Sequence, residues 1–251
     1  MKLHVGTSGY SYKEWKGNFY PEDLPATEML SYYSRRLPAV EINNTFYRLP
    51  QPSMIENWKS QVPARFRFSI KATQRITHIK RLNNVADETT YLLETVSLLE
   101  QRLGVVLFQL PPNMKKDIAR LGTFLDLLPA ETRAAFEFRH ETWFDDETFG
   151  LLQGKNCALV ISDTDEKPLT EIVSTASWGY LRLRRTAYDE TDLIEWMKRV
   201  KDQKWKDAFI FFKHEDEGVG PKLASRFIEL SKKRLAEMNK STKEKTASAL
   251  P

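Results

Sequence analysis

Eight short runs in which apolar and polar residues alternate, separated for the most part by stretches of helical spacing, limit what this chain can fold into. Strands are expected at Leu3–Gly6, Val40–Asn43, Arg67–Lys71, Val105–Gln109, Ala134–Phe138, Ala158–Ser162, Tyr180–Arg184 and Ala208–Phe212. Between them, apolar residues recur three and four apart: Met29, Leu30, Tyr33 and Leu37; Met54, Ile55 and Trp58; Leu92, Val96, Leu99 and Leu103; Ile118, Leu121, Leu125 and Leu128; Leu193, Trp196, Met197 and Val200. That spacing puts each set on one helical face. Strand and helix taking turns implies parallel strands.

The length of 251 residues suits one TIM-barrel-like (β/α)8 barrel. The domain is expected over residues 1–238, with an irregular sixth βα unit around Pro168 and a polar tail at 239–251. Thr27 is expected to cap the first helix and Gly104 to end the third. A doubly wound open sheet is the competitor, but no strand leads into a dinucleotide fingerprint or a P-loop, so no nucleotide cofactor is expected. No apolar run is long enough to span a bilayer, and the start Met1-Lys2-Leu3-His4-Val5 reads as a strand rather than a leader. A cytoplasmic protein is expected. Half of the formal net charge of +4 falls in the tail, where Lys240, Lys243 and Lys245 outnumber Glu244, so a nucleic-acid partner is only weakly supported. The lone Cys157, in an apolar run, reads as a buried structural thiol.

Period two also separates the faces of each strand. If the apolar face packs on helices, Glu41, Asn43, Lys71, Gln109, Glu137, Arg139, Arg182 and Arg184 fall inside, mostly late in their strands. Active sites of this architecture form at those carboxyl ends. Glu41 and Glu137 are then candidates for general acid and base, and Lys71 for an electrostatic or imine-forming amine. Arg139, Arg182 and Lys213 offer donors to a phosphate or carboxylate, while Asn43, Thr45, Tyr47, His78, Gln109, Trp143, Asp163 and His214 complete the candidate substrate contacts. The bland alternative is a structural lattice, pairing Glu41 with Lys71 and Glu137 with Arg139. His78, His140 and His214 follow strands, and a divalent metal on Glu137, Asp163 and His214 is a second reading. Neither a His-Glu-x-x-His nor a paired-cysteine spacing supports it, so no metal is expected first. The loop from Tyr10 to Pro21 is rich in aromatics, which suit either a stacking contact at the mouth or a small core of the loop's own. A third reading is a non-catalytic module binding nucleic acid or protein.

Several motifs fall at these same places: Gly6-Thr7-Ser8-Gly9-Tyr10, Phe19-Tyr20-Pro21, Glu41-Ile42-Asn43-Asn44-Thr45-Phe46-Tyr47, Lys71-Ala72 with Thr77-His78, Gln109-Leu110-Pro111-Pro112, and Glu137-Phe138-Arg139-His140 with Trp143. Through them the chain resembles the YecE-like family, domain of unknown function 72. The resemblance implies a TIM-barrel-like fold over residues 3 to about 230 and supplies no reaction. Many relatives carry Arg-x-His-Gly after strand 7 and an asparagine-rich turn after strand 8; here Arg182-Leu183-Arg184-Arg185 and Phe212-Lys213-His214-Glu215-Asp216 stand instead. The reading that results is an enzyme for a small anionic substrate, phosphorylated or carboxylated, using acid-base chemistry at the barrel mouth. As a working rather than a structural carboxylate, Glu137 is expected to tolerate replacement by Gln without loss of melting temperature.

Overall fold

A strand with one apolar face must bury it, and here the helices supply the cover on the outside while the strands close on themselves inside. The computed structural model describes residues 1–166, 171–214 and 217–232. Strands β1 (Lys2–Ser8), β2 (Ala39–Ile42), β3 (Arg67–Lys71), β4 (Leu103–Gln109), β5 (Ala134–Glu137), β6 (Ala158–Asp163), β7 (Trp178–Leu183) and β8 (Asp207–Phe212) form a closed barrel in chain order. Every pairing is parallel, and β8 returns to β1 with Val5 opposite Ile210. Around it pack α1 (Met29–Ser34), α2 (Pro52–Gln61), α3 (Ala86–Ser97), α4 (Ile118–Leu125), α5 (Asp146–Gly154) and α6 (Glu190–Lys201). A seventh helix, α7, covers 219–232. None of the described residues between β6 and β7 is helical, in line with the irregular sixth unit; Pro168 and the tail lie outside the described residues. Among the described residues no helix is long and apolar enough to cross a membrane.

Two helix boundaries differ from expectation. Thr27 lies within a 3₁₀ turn, Ala26–Glu28, that leads into α1, and its side chain caps nothing. Gly104 does not end α3, because the reversal comes earlier, with Glu100 at φ 53°. Gly104 is instead the second residue of β4, where a Cβ would lie 2.7 Å from the Phe209 ring.

Outward-facing Val40, Phe68, Ile70, Val106, Phe108, Phe136, Leu181 and Ile210 belong to the core shared with the helices. Inward-facing Val105, Leu107, Ala135, Val160, Phe209 and Phe211 fill the lumen as a separate cluster. The barrel is therefore plugged by side chains, as the architecture requires. At its amino-terminal end His4 stacks on Phe209 at 4.6 Å and meets Asp207, which Arg133 also holds at 2.8 Å. β1 and β2 approach closely at Gly6, where a Cβ would come 1.8 Å from the Ala39 carbonyl oxygen. Gly6→Ala must push β1 from β2, and a loss of about 1–3 kcal/mol or more is expected as a lower urea midpoint.

Candidate anion site at the barrel mouth

Above the apolar plug, the next inward positions are polar on most strands. Ser8 ends β1, Glu41 is the third residue of β2, and Ser69 and Lys71 belong to β3. Gln109 ends β4 and Glu137 ends β5, while Tyr180 and Arg182 come from β7. The period-two reading placed Glu41, Asn43, Lys71, Gln109, Glu137 and Arg182 on this side, and the fold brings them together.

Arg182, only 3% exposed, is the hub. Its Nη2 donates to Glu41 Oε1 at 2.8 Å and its Nη1 to Glu137 Oε2 at 2.6 Å, joining β7 to the non-neighbouring strands β2 and β5. Glu41, with no exposure, also accepts from Ser8 Oγ at 2.7 Å, Asn43 Nδ2 at 3.1 Å and Tyr180 OH at 2.7 Å. Glu137 takes a second guanidinium, Arg184 Nη2, at 2.8 Å. Burial alone would raise both carboxyl pKa values, but the charge of Arg182 and these donors outweigh it. Glu41 ends below the ordinary carboxylate range and Glu137 falls to about 2. Both are ionised at neutral pH, and both lie beneath the cleft rather than in its lining. The expected pairs, Glu41 with Lys71 and Glu137 with Arg139, are thus replaced by arginines from β7 and the residue just past it.

Over this layer opens a cleft of about 670 Å³ lined by Tyr12, Asn43, Asn44, Phe46, Tyr47, Lys71, His78, Gln109, Arg139, Arg182, Arg184 and Lys213. Five are lysine or arginine, and among the described residues none is a carboxylate. The buried Nε groups of Arg182 and Arg184 have no hydrogen-bond partner, so donor capacity remains after the carboxylates are served. Lys71 Nζ donates to Gln109 Oε1 at 2.9 Å and stands 4.3 Å from the Phe46 ring centroid. Desolvation, then the neighbouring Arg182, brings its pKa down to about 8. His78 packs perpendicular to Phe46, with ring centroids 4.8 Å apart, and burial followed by the Lys71 charge lowers its pKa. Thr45, buried, donates to the Lys71 carbonyl at 2.7 Å and so fixes the loop after β2 to the end of β3. Its role is positional. Tyr47, 75% exposed, stands at the rim.

Three expected contacts lie elsewhere. Trp143 is buried, stacked on Phe138 at 4.6 Å with its indole N–H donating to the Met114 carbonyl, because the chain turns outward after β5. Asp163 belongs to the outer face of β6, where Arg185, Tyr188 and Trp196 donate to its Oδ2 at 2.8, 3.0 and 3.1 Å. His214 lines an adjoining cleft with Asp165 and Glu166 and contacts the Arg185 carbonyl at 2.6 Å. Glu137, Asp163 and His214 therefore do not converge, and among the described residues no cluster of metal-ligating side chains forms. Of the first loop, Trp15 packs with Phe19 and Tyr20 as a core of its own, while Tyr12 reaches the cleft. Tyr180, Ser8 and Ser69 were not among the candidates, although Tyr180 lies two positions before Arg182 and hence on the same face. Ser69 and Tyr180 join hydroxyls at 2.6 Å, which aims the phenol at Glu41.

Fold and site together define an eight-stranded α/β barrel with a cationic carboxyl-terminal mouth. By sequence the chain belongs to the family described as "Protein of unknown function DUF72", which matches residues 4–248. It is 32% identical to the UPF0759 protein YecE of Escherichia coli (strain K12) over 143 residues, covering 57% of this chain and half of YecE's length. It is 23% identical to the UPF0759 protein YunF of Bacillus subtilis (strain 168) over 91% of this chain and 94% of YunF. The crystal structure of a DUF72 family protein from Thermotoga maritima MSB8 superposes with a TM-score of 0.76 at 24% identity, covering 92% of this chain and 99% of that one. One from Enterococcus faecalis V583 gives 0.74 at 19% identity, with 91% and 97% covered. These likenesses concern the fold.

Proposed function

We propose that the barrel mouth is the active site of an enzyme acting on a small phosphorylated or carboxylated substrate. The observation that carries this reading is the cleft lining, in which Lys71, Arg139, Arg182, Arg184 and Lys213 converge without a carboxylate among the described residues. Glu41 and Glu137, beneath the cleft, offset two of these five charges, and the excess in a concave, partly desolvated site favours an added anion. Arg182 is held rigid by Glu41 and Glu137, so its orientation is set before the ligand arrives. The two carboxylates are then positioning residues, and acid-base work falls to Lys71, whose pKa of about 8 leaves it able to give or take a proton near neutrality. Asn43 and Gln109 orient the ligand from the sides.

Inorganic phosphate is the simplest probe. At constant ionic strength, replacing chloride by phosphate should raise the melting temperature, reaching about 2.7 kcal/mol of stabilisation at a hundred times the dissociation constant. Replacing Arg139 and Lys213 by Gln together should remove most of that gain. Equal melting curves in the two salts, with no shift from phosphorylated or carboxylated compounds, would overturn the reading.

A further inference from the structure

We propose that Lys71 is an imine-forming amine and that the substrate is a carbonyl compound carrying an anionic group, such as a keto acid or a phosphorylated aldehyde. This rests on the anion-site reading above and adds a bond to it.

Lys71 is the last residue of β3, so the strand fixes where its side chain leaves the barrel wall. Its ammonium lines the cleft, yet among the described residues no carboxylate lies within ion-pair distance of it. Glu41 and Glu137 come from the same end of the lumen but are engaged by Arg182 and Arg184. The nitrogen's partners are a neutral amide oxygen at 2.9 Å and an aromatic face. A lysine kept for stability is normally given a counter-ion, since partial burial of an unpaired ammonium is costly. Withholding one is how an amine is made nucleophilic at neutral pH. The groups that act on it are Arg182 and Arg184, which favour the neutral form, and Glu41 and Glu137, which oppose it; burial exceeds them all, and the amine titrates near 8. Gln109, which also meets Glu137, holds the nitrogen in place.

The chemistry balances without any redox partner. The neutral amine attacks the carbonyl carbon; as the C–N bond forms, the C=O π pair moves to oxygen, which takes up a proton while the nitrogen gives one up. A second proton then lets that oxygen leave as water while the nitrogen lone pair closes the C=N bond, giving a protonated imine that joins Lys71 to the substrate. His78 lines the same cleft beside Lys71, and its imidazole can relay those protons. Arg184 and Lys213 hold the substrate anion. The protonated imine withdraws electrons from the adjacent carbon, which suits proton abstraction or carbon–carbon bond cleavage there.

Reductive trapping tests this on the full chain. Glyoxylate, a small anionic aldehyde, is added with cyanoborohydride near pH 8, and the modified lysines are mapped by peptide mass analysis. At that pH an amine titrating near 8 exposes roughly a hundredfold more neutral form than an ordinary lysine. Lys71 should therefore be labelled at least about tenfold faster than other lysines, with phosphate protecting it and uncharged glycolaldehyde showing less preference. Lys71→Arg should abolish the preferred site. Uniform labelling, or sparing of Lys71, overturns the imine; if phosphate still raises the melting temperature, the anion site stands without it. Selective labelling of Lys71 by both aldehydes alike, with no phosphate shift, supports the amine and overturns the anionic substrate.

Discussion

Arg182→Met should be the most damaging single substitution in the barrel lumen, lowering stability at neutral pH by about 5 kcal/mol or more. Breaking one buried ion pair by removing a partner costs about 3–5 kcal/mol, and this change breaks two. Methionine keeps the length of the side chain and removes the charge. Glu41 would retain only Ser8, Asn43 and Tyr180, neutral donors, against its complete burial. A carboxylate in that position lowers its cost by taking up a proton. The dependence on pH should then reverse. In the wild type Glu137 titrates at about 2 when folded and near 4.5 when unfolded, so its contribution is present above 4.5 and is lost as pH falls toward 2. In the variant Glu137 keeps Arg184, but the burial of Glu41 loses the cation that offsets it, and the folded pKa of Glu41 rises above its unfolded one. Stability must then improve as pH falls through that raised value and decline as pH rises through it. Urea unfolding between pH 5 and 8 reads the slope directly. A variant that unfolds at the wild-type midpoint across that range would mean Arg182 is no counter-ion.

The barrel and the inner faces were legible because both rest on local patterns. Alternation in four to seven residues fixes the direction of Glu41, Glu137 and Arg182, and helical spacing fixes the outer layer. The partners were not legible. Neighbouring strands and the next inward position suggested Glu41 with Lys71 and Glu137 with Arg139, whereas Arg182 crosses the lumen to a residue 141 positions earlier in sequence. How far a guanidinium reaches across a closed barrel depends on which lumen residues are small below it, and that is a property of the assembled layer. Asp163 shows a different failure. It was chosen for its place at a strand end, but it alternates with Ser162, which faces Arg184 inside, and so must point outward to Trp196. Parity held the answer there. Trp143 lies beyond its strand, where alternation no longer says anything about direction.

Glu137→Gln should also destabilise the protein, by about 3 kcal/mol, contrary to what its sequence position alone suggested. Two guanidiniums, Arg182 and Arg184, point one donor each at its two oxygens. An amide can accept from one of them, but its NH₂ then confronts the other, donor against donor. The depression of its pKa to about 2 represents a similar free energy, since each unit is worth 1.36 kcal/mol. For a domain of this size the melting temperature should fall by about 6–12 °C. The same substitution strengthens the field at the mouth. Glu41 would be left as the one lumen carboxylate named here against Lys71, Arg139, Arg182, Arg184 and Lys213, and Arg184 would gain freedom to turn toward the cleft. Phosphate should therefore recover part of the loss, and its stabilising effect relative to chloride at matched ionic strength should be larger in Glu137→Gln than in the wild type. Melting curves of both proteins in both salts separate the two roles of this carboxylate. Loss without phosphate rescue would make Glu137 a purely structural counter-ion, and no loss at all would mean that the crowded cations already strain the unliganded barrel as much as Glu137 relieves them.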